Sequence, residues 1–284
     1  MLRRADLVRP AEPRTNVLLK LPDGRTFEAP IGMTLAEIFL AIGSLSGRSP
    51  ATPCAGRLRA VAALVNGRLR DLTTPLTEDA SVVPLTPQDA DGARIYRRSL
   101  SFLLMTAAAE EFPGADVSIE HSATTVGAYF CEVRGHAPFT QDELRRIEAR
   151  MRAIVKADEP IVRTPMPLTQ AIEAVKARGD LETARLLAHR QKDDLVLYSL
   201  RGRQDYFQGY MVPSTGCLPH FALHAFPPGF FLQFPHQRQP QALPPITPYP
   251  KLFQVYEEAG HWLDRLGIRG AGVLNDAIAA GRLQ

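Results

Sequence analysis

Hydrophobic and polar positions near the start of the chain alternate in twos. Val17, Leu19 and Leu21 share one face of a run that begins at Asn16, the Asp23-Gly24 pair supplies a tight turn, and Thr26-Phe27-Glu28 resumes the strand. Pro30, Ile31 and Gly32 interrupt it. Thr34 and Glu37 then stand at capping-box spacing for a helix over 35–42 that ends near Gly43. After a polar loop at 43–56, residues 61–65 predict a strand, Asn66-Gly67 a type I′ turn, and Leu69 and Leu72 the returning strand. A last short strand is expected at 82–85. Two hairpins around one helix describe a β-grasp, ubiquitin-like unit.

From Gly92 the period changes. Ile95, Leu100, Leu103, Leu104, Ala107 and Ala108 recur at three- and four-residue steps, predicting a long helix that runs to Phe112 and stops at Pro113-Gly114. Strands are expected next at 117–119 and 128–133, joined by a Ser/Thr/Gly turn. Thr140 and Glu143 repeat the capping-box spacing ahead of a helix carrying Leu144, Ile147, Met151 and Ile154. A short strand at 161–162, helices at 168–178 and 181–189, a strand at 194–200 and an apolar run at 230–234 complete a second unit. This order is that of an α+β fold rather than regular βαβ repeats. Proline-rich HQRQPQALPPITPYP reads as an extended connector, succeeded by an amphipathic helix at 251–266 and a shorter one at 273–280. The expected organisation is a flexible tail (1–15), a β-grasp domain (16–90), a two-layer α+β domain (92–235), and a connector with a C-terminal helical extension (236–284).

A chain of 284 residues, 45% hydrophobic and 22% charged, has the composition of a folded soluble protein of two domains. The formal net charge of +3 is too small to imply nucleic acid by itself. Three cysteines far apart (Cys54, Cys131, Cys217) imply no disulfide framework and favour a reducing compartment. No apolar run approaches the ~18 residues of a membrane helix, and the basic N-terminus has no apolar segment behind it. A cytoplasmic protein with neither membrane nor DNA as partner is the expectation.

The stretch at 205–221, DYFQGYMVPSTGCLPHF, concentrates the candidate chemistry. Cys217, His220 and His224 have zinc-like spacing, but no second pair supplies a fourth ligand, and the plainer reading is a half-buried cysteine beside surface histidines. Asp205, Ser214 and His220 include the residue types of a nucleophile-base set, although closeness in sequence says nothing about geometry. No catalytic residue and no metal ligand set is assigned. Arg98, Asp205, Ser214, Thr215 and His220 are the candidates for a cleft that binds an anion.

The segments LPDGRTFEAPIGMTLAEI and AALVNGRLRDLTTPLTEDASVVPLT resemble the TGS domain of threonyl-tRNA synthetases, an accessory RNA-associated or regulatory module in that family. The α+β unit from Gly92 onward resembles the second additional domain of the same enzymes, itself related to alanyl-synthetase editing domains. There a helix carries an H-x-x-x-H pair and a later loop a cysteine and a histidine, which converge on a metal or hydrolysis site. In this chain the matching helix reads YRRSLSFLL and the loop DYFQGYMVPST, so those positions hold Arg98, Phe102, Phe207 and Met211. The resemblance therefore implies an editing scaffold without its ligands. At Arg98 two readings stand: a contact to an anion such as phosphate, or an ion pair with a carboxylate such as Asp205.

The segments PSTG, FPPGFFLQFP and GVLNDAIAAGR extend the likeness to the N-terminal half of a bacterial uridine kinase-like (nucleoside kinase) family, where both domains precede a P-loop kinase domain. That resemblance implies a non-catalytic, regulatory or nucleotide/RNA-binding front half, with nucleoside, nucleotide or RNA as ligand. ATP-dependent phosphoryl transfer, with ATP and magnesium, would belong to a P-loop domain after Gln284 or held non-covalently. No G-x-x-x-x-G-K-[ST] occurs in the chain, and no cofactor is expected within it. The alternatives are a free-standing tRNA- or RNA-binding module and a residual aminoacyl-tRNA editing hydrolase acting through Cys217 and His220. Whether the chain is itself an enzyme stays open at this point.

Overall fold

The first alternating run becomes β1 (Asn16–Lys20), which turns through Gly24 into β2 (Thr26–Pro30). After α1 (Leu35–Ser44) come β3 (Ala62–Val65), β4 (Arg68–Arg70) and β5 (Ala80–Leu85). These strands form one sheet in the order β2-β1-β5-β3-β4, in which β1 and β5 run parallel. The pleat sends Val17 and Leu19 into the core and leaves Leu18 exposed. Both halves of the Thr34–Glu37 capping box are present, and Leu35, Ile38, Phe39 and Ile42 pack against the sheet. Asn66 and Gly67 both take positive φ, as the type I′ turn requires. Asp71 is buried because its Oδ1 accepts from the Thr73 amide (3.0 Å) and hydroxyl (2.7 Å), closing the turn after β4. This is the β-grasp unit.

The computed structural model describes residues 13–45, 60–123, 127–177, 179–245, 255, 258, 262–263, 265–268 and 270–281. The expected loop at 46–59 with Cys54, residues 1–12 of the expected tail, and most of the helix expected at 251–266 lie outside them. Two compact units emerge, Met1–Thr86 and Pro87–Gln284.

In the second unit α2 (Ala90–Glu111) precedes β6 (Asp116–Ala123), β7 (Ala128–Arg134) and α3 (Gln141–Ala157). Then come β8 (Val162–Pro167), α4 (Leu168–Ala177), α5 (Leu181–Ala188), β9 (Asp194–Leu200), β10 (Arg203–Tyr206), β11 (Ala222–Phe226), β12 (Gly229–Gln233) and α6 (Ala271–Ala279). The strands make two antiparallel sheets, β10-β9-β8 and β11-β12-β7-β6. The fold is α+β. Strand β8 is longer than its prolines suggest because it lies at a sheet edge, where a missing N–H costs no ladder bond. Pro227-Pro228 is the turn of the β11–β12 hairpin. The first part of the proline-rich segment folds back, its Pro244 carbonyl accepting a hydrogen bond from the buried Gln233 amide. Cys131 is free and buried, whereas Cys217 is disulfide-bonded, which corrects the reading that the cysteines stay unpaired.

Two helices build the core of this unit. Leu144, Ile147, Met151 and Ile154 on α3 are at most 1% exposed, so each contributes about 2–3 kcal/mol of apolar burial. They face α2. At the far end of α2, Glu110 accepts from Arg150 Nε of α3 (2.6 Å) and Arg201 Nε of the β9–β10 turn (2.5 Å). Arg201 also reaches Glu159.

Partial burial of Glu110 alone would raise its carboxyl pKa, but hydrogen bonds from Arg201 and Arg150 outweigh it and leave the group below its ordinary value. A folded-state pKa below the unfolded one gives stability that is complete above about pH 4.5 and is lost as the carboxyl protonates below it. Glu110→Gln is therefore expected to flatten the fall in urea midpoint between about pH 5 and about pH 3. An unchanged slope would show that the pairing carries no stability.

Candidate functional site

The residues after β10 have no strand to pair with until β11, so their backbone groups need partners from elsewhere. Helix α2 provides them. Ser99 Oγ accepts from the Val212 amide at 2.9 Å while donating to the Ile95 carbonyl at 2.8 Å. Arg98 Nη1 donates to the Tyr210 carbonyl at 2.6 Å. The Tyr96 hydroxyl donates to the His220 carbonyl (2.9 Å) and accepts from the His220 amide (3.0 Å), and burial pushes its pKa up. From the sheet, the Tyr198 hydroxyl donates to the Gly209 carbonyl at 3.1 Å. Gly209 has φ +109°, and a Cβ there would come within 3.0 Å of the Arg98 guanidinium. The loop backbone thus lies on that side chain.

The tethered loop carries Phe207 and Met211, two of the positions matched by the resemblance. Phe102 of α2 is fully buried, its ring 5.3 Å from that of Phe207 in an edge-on arrangement. Met211 and Val212 are buried beside them in sequence at 3% and 1% exposure. Arg98 is half-buried one turn earlier on the helix. Burial pushes its pKa down, an effect offset by Tyr198 and Tyr129 and reinforced by Arg94 and Arg97. Two packed phenyl rings and a buried thioether offer a borderline or hard cation no ligand set. Among the described residues no group of three or more His, Cys, Asp or Glu side chains could hold a metal ion.

The other candidates go elsewhere. Asp205 accepts from Arg203 Nη2 at 3.4 Å and from the Tyr206 amide at 2.8 Å, and among the described residues no carboxylate pairs with Arg98. Thr215 is fully buried at the end of α3, where its hydroxyl donates to the Ile154 carbonyl and accepts from the Glu159 amide. Ser214 forms a backbone bridge with Pro160. The His220 pKa is lowered by burial and by Arg152, and His224 meets Gln233 Oε1 at 3.2 Å on β11. Residues 215–217 form a 3-10 turn rather than a strand, and the Cys217 sulfur, being disulfide-bonded, is no ligand or nucleophile. Neither the zinc-like set nor the nucleophile-base set is assembled through these side chains.

Several residues around Arg98 escape a reading of motifs. Strand register places Arg163, Tyr198 and Asp205 in one row of the β10-β9-β8 sheet. The opposite face, with Leu195 and Leu197, packs on α4 and α5. The Arg163 guanidinium lies 5.8 Å from the Tyr210 ring centroid. Arg97, next to Arg98, sits 5.4 Å from the ring centroid of Phe234, which in turn packs on Tyr129 at 4.8 Å. The signal that could have found them is the alternation within β9 combined with the pairing of three strands, and only the first is visible in sequence.

The β-grasp unit and the two-sheet unit together define a mixed α+β protein by class. No family model matches the chain. It is similar to threonine–tRNA ligases: 33% identical over 209 residues to that of Methylobacillus flagellatus, covering 72% of this chain and 31% of the ligase. To the ligase of Polynucleobacter necessarius it is 33% identical over 210 residues, and to that of Burkholderia orbicola 34% over 210, each covering 73% of this chain and 31% of the ligase. The chain thus spans about a third of the length of these relatives. This overturns the expected membership of a uridine kinase-like family: the similarity runs to threonine–tRNA ligases. The expectations tied to that membership, a P-loop partner domain with ATP and magnesium, lose their basis. Among the described residues no helix is long and apolar enough to cross a membrane.

Phe102→Ala should cost about 3–5 kcal/mol in urea unfolding, and Phe207→Ala less, because Phe207 is half-buried. The double variant should be milder than the sum by about 0.5–1.5 kcal/mol. Strict additivity would show that the two rings do not hold the loop to α2.

Proposed function

We propose that this chain is a tRNA-binding module built on the scaffold of a threonine–tRNA ligase accessory region, without hydrolytic editing. The observation that carries the reading is the fate of the converging positions. Those positions hold Arg98, Phe102, Phe207 and Met211, with Phe102 packed on Phe207 and Arg98 bonded to the loop backbone, and among the described residues they include no metal ligand set and no activated nucleophile. Likeness over 209 residues to enzymes named as threonine–tRNA ligases supports tRNA as the partner class. The reading of a residual hydrolase through Cys217 and His220 has no support in the geometry, since that sulfur is disulfide-bonded and His220 is tied to Tyr96 through its backbone.

Gel-shift titration against bulk tRNA is the test. Binding should weaken by about tenfold or more between about 50 and 200 mM salt, because each phosphate contact releases counterions. In parallel, mischarged aminoacyl-tRNA should be deacylated no faster with the protein than without it. No shift at the lower salt would remove the tRNA reading, and accelerated deacylation would restore an editing enzyme.

A further inference from the structure

Helix α6 meets the rest of the second unit through the face that has least to bury. It packs on α5. A Cβ on Gly272 would lie 3.1 Å from both the Glu182 carbonyl oxygen and the Leu186 amide nitrogen, so the helices meet backbone to backbone there. One turn further on, Asp276 Oδ1 lies 2.7 Å from His189 Nε2, just past the end of α5. The other side of α6 is open. Ala271, Leu274 and Ile278 stand on it at i, i+3 and i+7, the spacing of a helix-packing seam. All three are exposed, Leu274 at 38% and Ile278 at 54%, and the half-buried Asn275 lies along the same seam. Asp276 is the only charged residue of α6, so the outward face carries no charge. Just before the helix, Trp262, Leu263 and Leu266 are exposed as well, Trp262 at 61%. The Ile268 amide donates to the Leu263 carbonyl at 2.9 Å, and the three steps from Ile268 to Ala271 span at most about 11 Å, so this apolar turn stays close to the seam.

We propose that the outward face of α6, with Trp262, Leu263 and Leu266 beside it, is the contact between two copies of this chain, the helices running antiparallel about a two-fold axis between Leu274 and Asn275. A surface helix ordinarily buries its large apolar side chains, whereas α6 gives its inward face to a glycine and a polar pair. An uncharged face meets its own copy without like-charge repulsion, and it offers nothing to a partner selected by charge. In a two-fold contact residue i meets j and j meets i, so the small Ala271 faces the large Ile278 of the partner subunit. Asn275 carries both a donor and an acceptor and can bond to its own copy near the axis, as a single seam Asn does in fixing register. A stable interface needs about 800 Å² from each copy, more than one short helix presents, and the apolar turn before α6 supplies the remainder. The proposal concerns association of the chain and does not rest on the tRNA reading.

Sedimentation velocity and tryptophan emission of the full 284-residue chain, from about 1 to about 100 μM, test it together, because Trp262 is the only tryptophan. The mass should rise from 31.3 kDa toward twice that value, and the emission should move to shorter wavelength in step as the ring leaves water. Leu274→Glu and Ile278→Glu should each weaken association by about tenfold or more, since each would bury an unpaired carboxylate at the seam. Leu18→Glu, at an exposed apolar site of the first unit, should associate as the parent does. Asn275→Asp sets two like charges close to the axis, so its association should weaken at low salt and recover as salt is added. Urea midpoints at the lowest protein concentration separate lost association from lost folding. If Leu274→Glu does not fold, Ile278→Glu decides. A 31.3 kDa species throughout, with unshifted emission, would overturn the proposal. So would a doubling that both seam variants and Asn275→Asp leave intact, or growth past the dimer without an end point. Absence of tRNA binding with the doubling intact would overturn only the earlier reading.

Discussion

Residues 99–104 of α2 are all buried, so this helix has no solvent side over its middle turn. That constraint governs the rest of the second unit. Polar side chains on such a helix must find protein partners, and Ser99, Ser101 and Thr106 do so by donating to carbonyls one turn back. The residues between β10 and β11 have the complementary need, backbone groups outside any ladder. The two needs meet in the bonds from Tyr96, Arg98 and Ser99 to the backbone of His220, Tyr210 and Val212. Because these bonds are made to backbone atoms, the path of the loop depends on α2 and much less on which side chains the loop carries.

At the junction of helix and loop, Phe102 and Phe207 meet edge to face, and Met211 is buried. Apolar contact now joins helix to loop, and it needs no ion. The remaining position, Arg98, cannot be absorbed into an apolar plug. Its charge stays at the margin of the plug beside Gly209, whose lack of a side chain lets the backbone lie against the guanidinium.

Local periodicity reveals most of the elements. The capping boxes at Thr34 and Thr140, the positive-φ turn at Asn66-Gly67 and the buried stripe of α3 are all written within a few residues of where they act. What stays hidden depends on pairing between distant segments. Strand β8 is expected only at 161–162 because its tolerance of Pro165 comes from its edge position, a property of the sheet. Strands β10 and β11 escape a reading of periodicity because each is short and exists through its hairpin partner. In the site, the resemblance points to Arg98, Phe102, Phe207 and Met211; of these Phe102 packs on Phe207, and Arg98 holds the Tyr210 carbonyl one residue before Met211. The same stretch offers Ser214 and Thr215, which the structure uses to close the end of α3. Arg97 carries no motif at all. Its interest lies in a missing carboxylate, and an absence of that kind emerges only once side chains have positions.

Similarity and activity are therefore carried by different atoms in this chain. The 33% identity to a threonine–tRNA ligase is spread over 209 residues, whereas the editing-type chemistry in such a scaffold would hang on a handful of side chains. A polypeptide can keep the first and lose the second without strain, because the bonds that shape its cleft run through α2 and the loop backbone. What a cleft so preserved can still do is set by its remaining charge. On α2 and α3 the other arginines each pair with a carboxylate, whereas among the described residues Arg97 and Arg98 have none.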